Sequence, residues 1–330
     1  MVLIIVMIKL IDTLTVIFVF TILIVNCSRY NNPELKKLPF KLAYNVMVDE
    51  NTADYEIYIM NLDGSDKQNI TNSPAVDWIY YSCNGKIYFI SDRDTTPKLF
   101  FLYQMNMDGS NIKRITNFPV ENSWITSRNN GQELVVSSSK DSARYELYLI
   151  DSEGNELKRL TKNTYYDNDP CFSPDGKQII FRSRRPKVDE LWIMDDNGEN
   201  VRQLTHYPED DLSPGSFHYH AGPPFWEPNR NVITFMSYHN YNYDIFEMNP
   251  DGTDLKPLIS GPFDEGWHSW SSDGQYMAYD GTNVNGNYDI YLLEYKTQKI
   301  HRLTHDDQFE QAPIFVDFSE NKELYSANLK

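Results

Sequence analysis

Residues 55–71, YEIYIMNLDGSDKQNIT, decide the fold, because the chain repeats that stretch with small changes six times. The copies are FFLYQMNMDGSNIKRIT (100–116), YELYLIDSEGNELKRLT (145–161), DELWIMDDNGENVRQLT (189–205), YDIFEMNPDGTDLKPLI (243–259) and YDIYLLEYKTQKIHRLT (288–304). Unit ends at 71, 116, 161, 205, 259 and 304 give spacings of 45, 45, 44, 54 and 45 residues. A fixed period of this size marks one supersecondary unit that stacks against its copies, since no single copy buries its own apolar face. In YEIYIMN, Ile57 and Ile59 share one face and Glu56, Tyr58 and Met60 the other, the period of a strand. A glycine then supplies the positive φ of a tight hairpin, and a short strand ends at a Leu-Thr or Ile-Thr pair. Segments between the units, such as DNDPCFSPDGKQIIFRS (167–183) and DEGWHSWSSDGQYMAYD (264–280), read as two more strands around a turn. Four short antiparallel strands per period is a propeller blade. The expectation is an all-β, six-bladed β-propeller of four-stranded antiparallel blades, its ring closed by N- and C-terminal strands.

The pattern SPDGK, I-x-F-x-S, D-I-Y-x-M-N-x-D-G, L-T resembles the PD40 or TolB-like repeat, over roughly residues 42–330. The resemblance implies the six-bladed TolB-like propeller, without the separate α/β domain that TolB carries ahead of its own. It leaves function open, because propellers host binding modules, lyases, hydrolases and peptidase gates alike. At the ring's seam, APIFVDFSENKELYSAN (312–328) repeats only the first half of a blade, so the two termini share one. The spare strand is either 42–48 or 323–327.

Composition agrees with a single β-domain: 23 tyrosines and 17 phenylalanines suit strand faces, in a chain long enough to bury a large core. A net charge of −17 argues against nucleic acid as a partner. Of three cysteines, Cys83 and Cys171 are expected to stay unpaired, since they fall two blades apart.

Residues 1–27 are different material. A basic start at Lys9 and an apolar run from Thr13 to Val25 read as an export signal too short to span a membrane comfortably. Ile24-Val25-Asn26-Cys27 resembles a bacterial lipobox, which implies lipidation of Cys27 and anchorage in the cell envelope, as a periplasmic or outer-membrane lipoprotein. Residues 28–40 read as a tether and 41–330 as the propeller, a monomer.

Function belongs where the blades converge. In TolB-like blades the innermost strand follows the Leu-Thr pair, so the resemblance implies that residues just after each pair rim one mouth of the channel: Asp77 and Trp78, Asn122 and Trp124, Asp167 and Asp169, His218 and His220, Glu265 with Trp267 and His268, Glu310 and Gln311. Trp78, Trp124 and Trp267 offer stacking faces for a ligand, or simply pack between blades. The 54-residue spacing places extra chain at 206–228, a long loop of the kind that carries recognition. It holds Asp210, Asp211, His218 and His220, and His218, His220 and His268 with Glu265 or a carboxylate of the loop suit Zn²⁺ or Mn²⁺. HYHAGPP and GWHSWSSDG also resemble the oligogalacturonate-lyase type of propeller, which implies a metal beside an acidic sugar. There is no G-x-S-x-G elbow for a serine hydrolase. Asp-rich turns such as NLDGSD lack EF-hand spacing and suit hairpins. The favoured reading is an extracytoplasmic binding or scaffold module without cofactor, recognising a protein or glycan at the channel mouth. The alternative is a metal-dependent polysaccharide or oligosaccharide lyase.

Overall fold

The computed structural model describes residues 33–185, 188–207, 220–239 and 242–318. They form six four-stranded antiparallel sheets arranged as the blades of a ring. Blade 1 comprises, from the axis outward, Glu310–Asp317, Phe40–Asp49, Asp54–Asn61 and Gln68–Asn69. The innermost strands of blades 2 to 6 are Asp77–Cys83, Thr126–Arg128, Asp167–Phe172, Pro224–Trp226 and Glu265–Trp270.

The seam of the ring is thereby resolved. Leu42 to Val48 belongs to the second strand, hydrogen-bonded on one side to Asp54–Asn61 and on the other to Glu310–Asp317 from the far end of the chain. Residues 323–327 lie outside the described residues, as do Cys27 and the signal segment. Within the expected tether, Pro33–Lys36 forms one helical turn whose Leu35 is buried in the cluster holding Leu42, Tyr44 and Phe315.

Two local devices explain why the repeat is spelled as it is. The threonine ending five of the units accepts, through Oγ1, the backbone N–H of the residue 14 positions earlier: Ile57 to Thr71 at 2.9 Å, Leu102 to Thr116 at 3.1 Å, Leu147 to Thr161 at 3.0 Å, Leu191 to Thr205 at 2.9 Å and Ile290 to Thr304 at 2.9 Å. A side chain thus satisfies a third-strand donor where the outer strand runs out. The hairpin glycine does more than turn the chain. A methyl on Gly64, Gly109, Gly154, Gly198 or Gly252 would fall within 3.0 Å of a carbonyl oxygen in the preceding blade, on Leu303, Ile70, Ile115, Leu160 and Leu204 respectively. Each hairpin is therefore seated against its neighbour's main chain. The turn carboxylates are engaged locally as well: Asp63, Asp108 and Asp251 accept the N–H of Ser65, Ser110 and Thr253 at 3.0 Å each.

Apolar clusters fill the spaces between blades, the largest joining blades 1, 2 and 3. Several innermost strands carry a register shift, between Ile79 and Tyr81, Asn168 and Cys171, and Glu265 and His268. At the third residue of two innermost strands, Asp169 and Ala312, φ is +53° and +52°. This bulge turns neighbouring side chains toward the channel.

Candidate functional site

All innermost strands run the same way through the repeat, so the channel has a strand-start mouth (Asp77, Asp167, Glu265, Glu310) and a strand-end mouth (Cys83, Arg128, Phe172, Trp226, Trp270, Asp317). Between them aromatic rings pack in a chain, the first two contacts edge to face and the third tilted. Tyr80 packs on Trp124 with centroids 5.4 Å apart, Trp124 on Phe225 at 5.0 Å, and Phe225 on His268 at 5.0 Å. Blades 2, 3, 5 and 6 are thereby joined across the axis.

The strand-start mouth is where the sequence places the candidate ligands. Trp78 and Trp267 do meet there, half-buried and T-shaped at 5.8 Å, and Tyr55 stacks its edge on Trp78 at 4.4 Å. Trp124 is buried within the aromatic chain, 4 % exposed. The carboxylates are held by their own blades. Asp77 pairs with Arg93 at 2.6 Å and Asp167 with Arg185 at 3.1 Å. Asp169 accepts the Trp124 N–H at 3.1 Å and pairs with buried Arg182 at 2.6 Å, bracing blade 3 against blade 4. Asn122 accepts from the Tyr80 hydroxyl, and Gln311 from that of Tyr55 at 3.4 Å. Glu310 faces Lys67 at 3.4 Å, yet burial pushes its carboxyl up to about 7. Glu265 is pushed up to about 8, by burial first and then by repulsion from Asp244.

The histidines do not assemble as a metal site among the described residues, where no group of three or more His, Cys, Asp or Glu is disposed to hold a metal ion. His268 is wholly enclosed, its Nε2 2.8 Å from the Thr234 hydroxyl of blade 5, and burial pushes its imidazole down to about 3, so it is neutral. His220 is buried and stacks on Tyr207 at 4.7 Å. His218, Asp210 and Asp211 lie outside the described residues.

The open space is at the other mouth. A cavity of about 800 Å³ is lined from all six blades, by Tyr81 and Cys83, Arg128, Cys171 and Phe172, Trp226, Trp270, and Phe315, and it reaches inward to Tyr80, Trp124 and Phe225. Of the residues singled out from sequence, Trp124 lines it. Cys83 and Cys171 both do so without being bridged. Cys171 accepts the Trp226 N–H at 3.4 Å, and burial pushes its thiol up to about 11. At the rim Arg128 reaches from blade 3 to blade 4, held by Glu133, Asp196 and, at 2.9 Å, the Gly176 carbonyl. A signal for this wall was present: Phe172, Trp226 and Trp270 each stand immediately before the turn that joins the first two strands of a blade, and Tyr81 two residues further back. An aromatic residue there reads equally well as ordinary strand core.

No protein-family model and no curated protein sequence matches the chain. By structure it is similar to TolB from Acinetobacter baumannii, with a TM-score of 0.65 at 20% identity, over 84% of this chain and 66% of that one, just under two thirds of its length. A TolB-type protein from Agrobacterium tumefaciens gives 0.61 at 16% identity, over 83% and 91% of the two chains. Oligogalacturonate lyase in complex with manganese gives 0.54 at 15% identity, over 81% and 74%. At these identities the likeness is one of fold, and the fold is the TolB-like six-bladed propeller.

Proposed function

We propose that this protein is an extracytoplasmic binding module, lipid-anchored through Cys27, that grips a partner protein in the strand-end cavity. The observation that carries this reading is the convergence of six innermost strands on one aromatic-walled space of about 800 Å³, within the size range of ligand-enclosing sites. Several candidate acids and bases elsewhere in the channel are paired or sealed. Asp77, Asp167 and Asp169 sit in ion pairs, and His268 is shut inside the blade 5 to blade 6 contact. A binding role needs none of them to react.

The test fills the cavity without dismantling its wall. Ser82, half-buried on the last turn of the blade 2 innermost strand, lines the space, and Ser82→Trp places an indole in it. Envelope proteins and glycans captured on the wild-type chain are compared with those captured on this variant. A protein retained by the first and lost from the second supports the reading. Identical capture sets, or loss of a glycan alone, refute a protein-binding cavity.

A further inference from the structure

We infer that the strand-end cavity selects uncharged, apolar side chains of an extended partner segment and turns away glycans and charged segments; this rests on the binding-module reading. A bound sugar brings hydroxyls that each need a placed donor or acceptor, whereas an apolar side chain needs only carbon surface.

The hydroxyls of Ser127, Ser269, Ser271 and Ser272 in this wall already have protein partners. Ser127 shares a hydrogen bond with the Tyr81 hydroxyl at 2.9 Å. Ser269 donates to the Pro313 carbonyl at 2.8 Å, Ser271 to Asp273 at 2.6 Å, and Ser272 to Asp317. The two tryptophans turn their N–H groups away, Trp226 to Asn231 and Trp270 to Thr234, each at 3.0 Å. What they offer the cavity is carbon.

Charge is handled the same way. Arg128 is neutralised by Glu133 and Asp196. Lys177, 79% exposed beside Asp175, stands out in solvent at the rim. Past Lys177 at the rim, a guest carboxylate would find Arg128 already held by two carboxylates, and a guest ammonium would find Asp196 held by Arg128 and Asp317 by Ser272, and desolvating either charge without a new partner costs binding at least about tenfold. A leucine or phenylalanine side chain meets Phe172 and Phe225 instead.

The experiment is calorimetric titration of the full chain with N-acetylated, C-amidated pentapeptides Ala-Ala-X-Ala-Ala, where X is Leu, Phe, Asp or Lys, and with maltotetraose. The Leu and Phe peptides are expected to bind at least about tenfold more tightly than the Asp and Lys peptides. Maltotetraose should give no heat, and binding should vanish in Ser82→Trp. Ser272→Trp, on an exposed turn at the same cavity, serves if the first variant unfolds. Equal or tighter binding of a charged peptide or of maltotetraose overturns the selectivity and leaves the binding-module reading standing. Silence from every probe, or binding untouched by both tryptophan variants, also overturns the inference. The capture comparison judges the binding-module reading separately.

Discussion

Gly154→Ala and Gly286→Ala are the same chemical change at nearly the same backbone conformation, with φ of +85° and +81°. They should differ sharply in cost. At Gly286 a methyl group meets nothing within 4 Å, so the penalty is the left-handed strain of an alanine, about 1 kcal/mol. At Gly154 the methyl lands within 3.0 Å of the Ile115 carbonyl oxygen, a backbone atom of blade 2 that can retreat only if the blade moves. Overpacking of that kind adds about 2 kcal/mol more. For a domain of this size, 1 kcal/mol corresponds to about 2 °C in Tm, so the expected losses are about 2 °C for Gly286→Ala and about 6 °C for Gly154→Ala. Thermal unfolding followed by circular dichroism, checked by urea titration, measures both. Equal losses would refute the claim that hairpin glycines seat each blade on the one before it.

Glu265 makes stability depend on pH. Its carboxyl is raised from 4.5 to about 8, so the stabilisation from its proton is complete below about pH 4.5 and lost as pH rises through about 8. Between pH 5 and 9 the wild type should lose about 2 kcal/mol that Glu265→Gln retains, with solvent access discounting the full shift; parallel urea midpoints for the two proteins across that range would refute it. Asp169→Ala removes the nearer partner of buried Arg182, which keeps Asp189 at 3.5 Å, and releases the Trp124 backbone N–H, and should cost about 2–3 kcal/mol, whereas Asp175→Ala at the exposed rim should cost less than about 0.5 kcal/mol. Comparable urea midpoints for the two variants would show that the brace between blades 3 and 4 is not as drawn. For the metal-dependent alternative, elemental analysis of the purified chain should find no stoichiometric Mn or Zn that disappears with His218→Ala or His268→Ala; metal lost in both variants would revive it.

Much of the architecture was legible because its cause is local. Period-two alternation in YEIYIMN, the hairpin glycine and the terminal threonine each act within one blade, and blades that repeat at 45 residues leave one arrangement that buries all of them. The site was less legible. The strand-start mouth was the natural place to look, since its Trp, His and carboxylate residues stand out in type. There the aspartates turn out to answer arginines in their own blades, as Asp77 answers Arg93 and Asp167 answers Arg185. Residues that line the cavity, such as Phe172 and Trp226, look like ordinary strand residues and gain their role from position at the ring's axis.

The amino-acid order by itself therefore determined the unit, its count and its closure into a ring, because hydrogen-bond pattern, side-chain period and turn chemistry act over a few residues at a time. Tertiary structure alone decided which strand closes the seam, that the methyl-free edge of five hairpins lies on a neighbour's carbonyl, and which mouth holds a cavity lined from all six blades. Those outcomes depend on distances between blades 45 or more residues apart, from Gly154 to Ile115 or from Asp169 to Trp124, and the filling of the channel by aromatic rings follows from how six such surfaces meet.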